Sequence, residues 1–520
     1  MRRAGVGGAG VVLAAAALLP LATAQAAPVT VVDRLVHEDT GVGEPEIVVD
    51  ARHPGDVVIG ENNTGVSVSH DRGLTWNHIA IPNQGDNATT IDAEGNPVYT
   101  SLDGDVQVSK DRGDHWTSVG NWVGALSALW SDLAPDEAKG IPFRDLGCNA
   151  PVPAGPVDPL GGPGFHVIGC DRPWIGADAT RPGSYYVFFT DHSDGSGGLL
   201  LPDVGCKTST ATNQFFTCGR QYVTASHDGG KTWQPFQPVD AADAPATWTN
   251  GFAGIPVARD GVLASSYLAG SLPGSSCTTC VVLQTSRDDG KTWTRRLVPA
   301  HVDGSKLGAH DLNPLGISSS LAFQPYLAQD PSRPGRYAVM VFDDSQTHLV
   351  VHVTSDFGRT WSSPVSLAEP GPGTRWLPWI AYGTGGALGV MWRTTGQDGS
   401  YAVWAAVSPA GGNRFGPPVR LSSKASPGPV SQVAGDDASS VALDRTTLHA
   451  AWGDRREGTL GIHYGRYTFA SDPALRGLAP GASSARGGGA GLAATGLPSP
   501  VAALGLLALA LVGVRRRWVR

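Results

Sequence analysis

An eight-residue pattern, Ser/Thr-x-Asp-x-Gly-x-Thr-Trp, recurs along this chain and limits the possible fold more than any other feature. Five complete or near-complete copies lie at residues 69–76, 109–116, 226–233, 286–293 and 354–361. A weaker sixth copy at 408–415 has Ala410, Arg414 and Phe415 where the others have Asp, Thr and Trp. Repetition on this scale indicates an array of similar units rather than a series of unrelated domains.

Each position of the pattern has a structural explanation. An Asp followed two residues later by Gly favours a tight turn, because the carboxylate accepts backbone N–H hydrogen bonds and Gly tolerates a positive φ. Apolar or alternating runs such as Val66-Ser67-Val68 precede the turns, so each turn is expected to join two strands. The Trp then brings a large apolar surface into the second strand. Each hairpin therefore needs a neighbouring unit to cover it.

The pattern resembles the Asp-box, or BNR, repeat, and residues from about 29 to 469 resemble the β-propellers of sialidases and their relatives. The resemblance implies an all-β propeller of four-stranded antiparallel blades, with the repeat between the third and fourth strands, on the face away from the ligand. The repeat aspartates are then structural rather than catalytic: Asp71, Asp111, Asp228, Asp288 and Asp356. The repeat identifies an architecture and says little about activity. A calcium-loop interpretation is disfavoured because further alternating acidic ligands are missing.

Counting strands upstream of each repeat predicts seven blades, with six as the alternative. The last blade has no repeat and only three strands of its own, at 440–444, 448–453 and 461–469. The β-branched segment Val29–Val36 is expected to supply its outer strand and close the ring, which removes the open sheet edges. The propeller is thus expected over residues 27–470, with an insertion at about 122–165.

Both ends of the chain are expected to lie outside this fold. Residues 1–26 have the basic start, apolar centre and Ala24-Gln25-Ala26 site of a secretory signal peptide. A Gly-, Ala- and Ser-rich linker is expected over 471–491. The tail 492–520 follows, with Leu492-Ala493-Ala494-Thr495-Gly496, an apolar segment at 497–514 long enough to span a bilayer, and a basic end.

This tail resembles the LAxTG-type sorting signal of sortase-anchored Gram-positive surface proteins, in a variant that is similar to actinobacterial ones. The resemblance implies cleavage between Thr495 and Gly496 by a sortase and attachment to the cell wall. A plain C-terminal membrane anchor is the alternative. Either way, the propeller is expected outside the cell, and the membrane is contacted only through the C-terminal segment.

Six cysteines in an exported chain favour three disulfides, and the pairing of neighbours predicts Cys148–Cys170, Cys206–Cys218 and Cys277–Cys280. The formal net charge of −8 argues against nucleic acid as a partner. The sequence has no pattern that calls for a nucleotide, haem or metal, so no cofactor is expected. The expected partner is a glycan or glycoconjugate, and the chain is expected to be a monomer.

A sialidase-like mechanism needs three arginines for the substrate carboxylate, a Tyr nucleophile with a Glu beside it, and an Asp acid and base. The resemblance suggests Arg172, Arg393 and Arg455 as the three arginines. It suggests Asp191, or Asp194, as the acid. Tyr464 or Tyr267 is the candidate nucleophile, and Glu46 or Glu61 its partner. The family signature Phe/Tyr-Arg-x-Pro is not found at the first blade, and Arg172-Pro173 lacks both the aromatic and the spacer.

Three functions therefore remain open. The first is an exo-sialidase-like glycoside hydrolase. The second is a hydrolase or lyase acting on another polysaccharide through paired carboxylates such as Asp171 and Asp454. The third is a non-catalytic glycan- or protein-binding propeller displayed on the cell surface. Trp174, Trp376 and Trp379 suit stacking on sugar rings, although the alternation of Trp174 and Trp379 with Ile175 and Ile380 also fits a buried core.

Overall fold

Seven antiparallel sheets, counted over the described residues, are arranged as the blades of a ring that contains almost no helix. The computed structural model describes residues 30–38, 40, 43–82, 85–123, 170–191, 220–239, 247–248, 257–269, 272, 274–277, 280–302, 325–343, 348–369, 373–396, 398–427 and 438–478. Six of these sheets have four strands, and blade four has five because two short inner segments pair with the same neighbour. The seven-bladed all-β prediction is confirmed.

Strand β1 is Val31–His37. Blade one contains β2 (Glu46–Val49), β3 (Val57–Glu61), β4 (Gly65–Ser69) and β5 (Asn77–Ala80), and blade two contains β6 (Asn87–Ile91), β7 (Pro97–Ser101), β8 (Asp105–Val108) and β9 (Thr117–Asn121). Blade three contains β10 (Cys170–Ala177), β11 (Tyr185–Asp191), β12 (Arg220–Ser226) and β13 (Gln237–Pro238). Blade four contains β14 (Thr247–Trp248), β15 (Val257–Arg259), β16 (Val262–Ala269), β17 (Cys280–Ser286) and β18 (Thr294–Leu297).

Blade five contains β19 (Tyr326–Gln329), β20 (Tyr337–Phe342), β21 (Leu349–Thr354) and β22 (Val365–Ser366). Blade six contains β23 (Thr374–Tyr382), β24 (Leu388–Thr395), β25 (Tyr401–Ser408) and β26 (Val419–Arg420). Blade seven contains β27 (Ser439–Leu443), β28 (Leu448–Asp454) and β29 (Gly461–Tyr467), and two short 3₁₀ helices follow at Phe469–Ser471 and Pro473–Leu478. No helix of the described residues is both long and apolar enough to cross a bilayer.

The N-terminal strand closes the ring. β1 pairs antiparallel with β29, from Val31 opposite Tyr467 to His37 opposite Ile462, and so becomes the fourth strand of blade seven. The innermost strands contact one another in sequence around the ring, and the first of them, β2, contacts the last, β27. The predicted closure by the N-terminal segment is confirmed, and it leaves β29 without an open edge.

The repeats form the turns between the third and fourth strands of blades one to five, as their chemistry predicts. In the first copy, Oδ1 of Asp71 accepts hydrogen bonds from the backbone N–H groups of Leu74 and Thr75, both over 2.9 Å. Its Oδ2 accepts the Thr75 hydroxyl over 2.6 Å. Ser69 accepts the N–H of Gly73, whose φ of +76° explains why glycine stands there.

The weaker sixth copy forms the same turn in blade six without its aspartate. Ser408 still accepts the N–H of Gly412 over 2.8 Å. Arg336, from the neighbouring blade five, donates to the backbone carbonyl oxygens of Ala410 and Gly411, both over 2.9 Å. This turn is therefore held by Ser408 and by a contact from the neighbouring blade, without the hydrogen bonds that an aspartate accepts in the other copies.

Because successive strands of a blade run antiparallel, their turns lie alternately at the two ends of the strands and form two distinct faces of the ring. The repeat turns share one face with the turns between first and second strands, as the hydrogen bonds from Arg72 N–H to Gly55 and from Phe357 N–H to Gly335 show. We call this the repeat-turn face. The turns between second and third strands, and the connections between blades, lie at the other end of the strands, which we call the connection face.

Candidate functional site

The connection face carries most of the residues for which the sequence predicts a functional role, and Arg393 is one of those that are fully buried. It lies near the end of β24 with no exposed surface. Its guanidinium donates to the Ser439 hydroxyl, over 2.8 Å from Nη2, and to the Ala438 carbonyl oxygen. The same group lies over the rings of Trp376 and Tyr401, at 5.0 and 4.7 Å from their centroids. Arg393 thus joins blade six to the first strand of blade seven.

Glu46 is also part of a contact between blades. It lies at the start of β2 and is 4% exposed, and its Oε2 accepts the backbone N–H of Thr89 in blade two over 2.5 Å. Next to it, Asn62 donates to the carboxylate of Glu44, and the Asn62 side-chain oxygen accepts the backbone N–H of Asn87. These polar groups form a buried network that fixes blade one against blade two.

Tyr464 points toward the repeat-turn face. Its hydroxyl donates to the carbonyl oxygen of Arg72 in the first repeat turn over 3.1 Å, and His449 Nδ1 lies 2.7 Å from the hydroxyl oxygen of Tyr464. Its ring packs edge-on against Trp76, with centroids 5.1 Å apart. Burial raises the pKa of the Tyr464 hydroxyl well above its ordinary value. A phenol in this environment is held neutral, which opposes nucleophilic attack.

Arg455 lies in the turn between β28 and β29 and is half-buried; its backbone N–H donates to the Ser426 hydroxyl. The neighbouring Asp454 is buried and accepts hydrogen bonds from Trp452 Nε1 and from Arg456. Burial raises the pKa of Asp454, but the Arg456 guanidinium outweighs this and the pKa is lowered. Asp454 is therefore an ionised, paired carboxylate rather than a proton donor.

The candidates in blade three lie on the paired strands β10 and β11. Asp171 pairs with Thr190 and Cys170 pairs with Asp191 across β10 and β11, and a bulge follows Asp171. Arg172 lies within that bulge. The residue Asp194 lies outside the described residues.

The alternative choices from the sequence are both buried. Tyr267 lies in β16, in an apolar cluster with Cys280 and Val282. Glu61 ends β3 with its side chain fully buried, and it hydrogen-bonds His37. The structure thus brings Tyr464 and Arg393 to different faces and gives Arg393, Glu46 and Tyr464 partners within the fold.

Three aromatic residues from different blades meet at the centre of the ring. The Trp174 and Trp379 rings, from the innermost strands of blades three and six, have centroids 5.4 Å apart. Tyr326, from blade five, lies 5.6 Å from Trp379. Trp174 is buried, whereas Trp379 keeps part of its surface exposed. Trp376, by contrast, is 2% exposed and packs on Tyr401 and Arg393.

Proline explains how these two tryptophans are presented. Both follow a proline, in Arg172-Pro173-Trp174-Ile175 and Leu377-Pro378-Trp379-Ile380, and both strands have a register shift at this point. A proline cannot donate to the ladder, so it is found at such bulges. Leu377 has a φ of +43°, an uncommon conformation for a residue with a side chain. This shared motif was not predicted, although Pro-Trp-Ile occurs in the sequence of both blades.

A chain of charged groups crosses from blade five to blade six on the connection face. His348 Nδ1 lies 2.8 Å from Asp343 Oδ2, and its Nε2 lies 2.8 Å from Glu369 Oε1. The Arg375 guanidinium, which is buried over the ring of Trp392, lies 3.6 Å from the same Glu369 oxygen. Burial lowers the pKa of Arg375, while Glu369 acts in the opposite direction.

The predicted disulfide Cys277–Cys280 is present, in the connection before β17. Cys148, Cys206 and Cys218 lie outside the described residues, so the other two pairings stay predictions. The predicted signal peptide, the predicted sorting signal, most of the proposed insertion and residues 479–491 of the predicted linker likewise lie outside the described residues. The first part of that linker, 471–478, is described and continues the fold instead, in 3₁₀ helices that bury Leu475.

No protein-family model matches this chain, and no curated protein matches it. Among solved structures, a protein of unknown function from Dyadobacter fermentans is 14% identical, with a TM-score of 0.43, covering 84% of this chain and 98% of that one. A Hadza microbial sialidase is 14% identical, with a TM-score of 0.40, covering 80% and 74%. The Trypanosoma rangeli sialidase in complex with sialic acid is 12% identical, with a TM-score of 0.40, covering 85% of this chain and 59% of that one.

Proposed function

We propose that this chain is a non-catalytic glycan-binding propeller, displayed outside the cell, whose ligand site lies around Trp379 at the centre of the ring. The observation that carries the proposal is the hydrogen bond from Tyr464 to the Arg72 carbonyl oxygen at the repeat-turn face. A sialidase-type site needs its nucleophile beside the arginines that hold the substrate carboxylate. Arg393 lies near the connection-face end of β24, where it is bonded to Ser439. Tyr464 and Arg393 therefore do not share one site.

The enclosure of Arg393 and Glu46 supports the same conclusion. A residue that binds a substrate carboxylate must present free N–H donors to an open site. Arg393 is fully buried between Trp376 and Tyr401 and donates within the fold. Glu46 accepts a backbone N–H from blade two. Their contacts hold blades together, and that role does not require catalysis.

Trp379 supports the choice of a glycan as ligand. A partly exposed indole presents a flat apolar surface on which a sugar ring can stack. The ring is held rigidly by Trp174 and Tyr326, and the preceding Leu377 has a strained backbone that the surrounding fold maintains. Rigid aromatic groups lose little conformational entropy when they bind a ligand.

Display at the cell surface is part of the proposal and is supported by the two ends of the sequence. The signal-peptide pattern at 1–26 favours export, and Leu492–Gly496 with the apolar segment 497–514 favours anchoring by a sortase. A binding module needs such display to hold its ligand at the cell surface.

Asp103 favours a glycoside hydrolase as the second candidate. It lies in the turn between β7 and β8 on the connection face and is half-buried. Burial raises the pKa of its carboxyl above the ordinary value, although hydrogen bonds from Ser101 and the Asp105 backbone act against this. A carboxyl with a raised pKa is what a glycosidase needs as its general acid.

One pair of measurements on the full chain separates the two candidates. We expect binding to members of a printed array of sialylated, uronic-acid-containing and neutral glycans, and no turnover of fluorogenic glycosides carrying the same sugars. Trp379→Ala should weaken that binding at least tenfold. Trp404→Ala is the matched control, because Trp404 is also partly exposed in blade six but lies on the third strand. Turnover that is lost in Asp103→Asn would instead establish the hydrolase.

A further inference from the structure

Two histidines and a glutamate meet where the closing strand reaches blade one. His37 is the last residue of β1, Glu61 ends β3, and His78 lies in β5. His37 Nδ1 lies 2.6 Å from Glu61 Oε2, and His78 Nδ1 lies 3.6 Å from the same oxygen. One nitrogen from each histidine and one carboxylate oxygen all lie within 4.8 Å of one another.

We propose that His37, Glu61 and His78 form a binding site for a divalent transition metal, best suited to Zn²⁺, which ties the closing strand to blade one. Two imidazole nitrogens and one carboxylate oxygen are a donor set that Zn²⁺ favours. Zinc binds such atoms at about 2.0–2.2 Å, so tetrahedral donors lie roughly 3.4 Å apart. The separations of 2.6 and 3.6 Å bracket that value and need only small side-chain rotations.

The carboxylate is held in position by a second set of hydrogen bonds. Ser67 donates to Glu61 Oε1 over 2.5 Å, and Thr64 donates to Oε2 over 2.9 Å. Groups of this kind orient metal ligands and raise their affinity. The two imidazole rings lie side by side, with centroids 4.1 Å apart and planes tilted by 36°, and both contact the same carboxylate oxygen.

The two histidines leave the site partly open to solvent. The Glu61 side chain is fully buried, whereas His37 and His78 are 26% and 30% exposed. A metal ion can therefore enter from solvent, and water can complete its coordination. The apolar contact between blades seven and one, with Ile59 and Ile462, lies next to Glu61 along the same strand face. The proposed ion would thus add a polar contact beside the apolar contact between blades seven and one that closes the ring.

This site is independent of the glycan site proposed above. Its three ligands come from β1, β3 and β5, which are far apart in sequence, so no local sequence motif predicts the site. Because the metal would bind only the closed ring, it should stabilise closure through binding energy that the open chain cannot use.

The test uses the full chain, stripped with a chelator and then dialysed against Zn²⁺. We expect His78→Ala to bind one ion fewer per chain than the wild type, and Co²⁺ to give a visible absorption band in the wild type that His78→Ala lacks. His53→Ala is the matched control, because His53 is an exposed histidine of the same blade that pairs with Asp50. Equal zinc content in wild type and His78→Ala would overturn the proposal, as would an equal loss in His53→Ala.

A second measurement tests the role in closure. Zn²⁺ should slow amide hydrogen exchange in β1 and β29 of the wild type and leave both unchanged in His37→Ala and His78→Ala. Bound zinc without any change in exchange of β1 would show that the ion does not tie the closing strand. Circular dichroism of each variant confirms that it is folded before these comparisons.

Discussion

The hydroxyl of Tyr464 donates a hydrogen bond to the backbone carbonyl oxygen of Arg72 over 3.1 Å and so joins the last blade to the repeat turn of the first. Removing the hydroxyl in Tyr464→Phe leaves this carbonyl with the Arg466 donor alone and His449 Nδ1 without its contact. We expect a loss of about 1–2 kcal/mol in the free energy of unfolding. Urea denaturation measures it, and glycan binding should not change.

Gly73→Ala tests the same contact between Tyr464 and the first repeat turn, this time by a substitution in the turn. A Cβ at Gly73 would lie 2.1 Å from Cε1 of the Tyr464 ring, and the backbone there has a φ of +76°. The ring must move to admit it, so this variant should lose more stability than Tyr464→Phe. Loss of glycan binding in Tyr464→Phe with stability unchanged would contradict the assignment of Tyr464 as a structural residue.

Restoring the missing residues of the sixth repeat, at 408–415, should increase the free energy of unfolding. Ala410→Asp combined with Arg414→Thr restores the two residues that, in the first copy, are Asp71 and Thr75. The new carboxylate can accept the backbone N–H groups of residues 413 and 414, and we expect a gain of about 1 kcal/mol in unfolding free energy. Chemical denaturation checks it; Arg414→Thr alone is the control and should give no gain.

The repeat aspartates predict how stability depends on pH. Burial acts to raise the pKa of Asp71, but hydrogen bonds from Thr75 and Ser69 lower it to about 2. Hydrogen bonds from Thr360 and Thr354 likewise lower the pKa of Asp356 to about 2. A folded-state pKa below the ordinary value of 3.8 contributes stability that is present above that value and is lost as pH falls toward 2.

We therefore expect protonation of these aspartates to make the urea midpoint fall steeply between about pH 4 and 2. In Asp71→Asn and Asp228→Asn combined, the midpoint at pH 7 should be lower and its fall in acid shallower. Parallel acid profiles for variant and wild type would contradict this origin of the pH dependence.

Arg393 is expected to be a stability residue. Arg393→Ala removes donors to Ser439 and Ala438 and opens a cavity between Trp376 and Tyr401, so we expect a loss of about 2–4 kcal/mol. Arg393→Lys keeps the charge without the planar fork and should recover only part of it. Thermal unfolding ranks the three proteins. If Arg393→Ala has the stability of the wild type and loses only ligand binding, Arg393 is a ligand-binding residue.

Asp33 fastens the closing strand to its neighbours. Its Oδ2 accepts the backbone N–H and the hydroxyl of Ser423 over 2.6 and 2.7 Å, and it is paired with Arg456. Burial acts to raise the pKa of Asp33, but His463, Ser423 and Arg456 outweigh it and the pKa is lowered. Asp33→Asn should lower the unfolding free energy by about 1–3 kcal/mol and speed amide exchange in β1.

Glu38→Gln is the control for that variant, because Glu38 is exposed just after β1 and loses the same charge. Exchange in β1 that responds equally to both substitutions would reflect net charge rather than the contacts of Asp33.

The architecture was readable from the sequence because its turns are local. Asp71 accepts hydrogen bonds from residues three and four positions further along the chain, so each repeat specifies its own hairpin. The seven blades and the closing strand could then be predicted by counting strands. Blade four was harder to predict, because its inner edge consists of two short segments, Thr247–Trp248 and Val257–Arg259, rather than one continuous strand.

The site was much less readable, because the decisive contacts are made between blades. The Arg393–Ser439 and Tyr464–Arg72 bonds join residues 46 and 392 positions apart, and nothing local distinguishes a buried arginine from a ligand-binding one. The pairing of Trp174 with Trp379 across the centre likewise depends on ring closure. The sequence predicts both tryptophans as candidates for stacking on a sugar ring. Whether each is buried in the core or exposed to a ligand depends on neighbouring residues that come together only in the folded ring.

The order of assembly follows from the place of β1. Its Asp33 faces His463, 430 residues further along the chain, so β1 has no partner until the last strand of the propeller has been made. Contacts between such distant segments form slowly, because the whole intervening loop must first be closed. We therefore expect the docking of β1 onto β29 to be a late folding step, and a delay in that step would lengthen the time for which β29 can pair with another molecule.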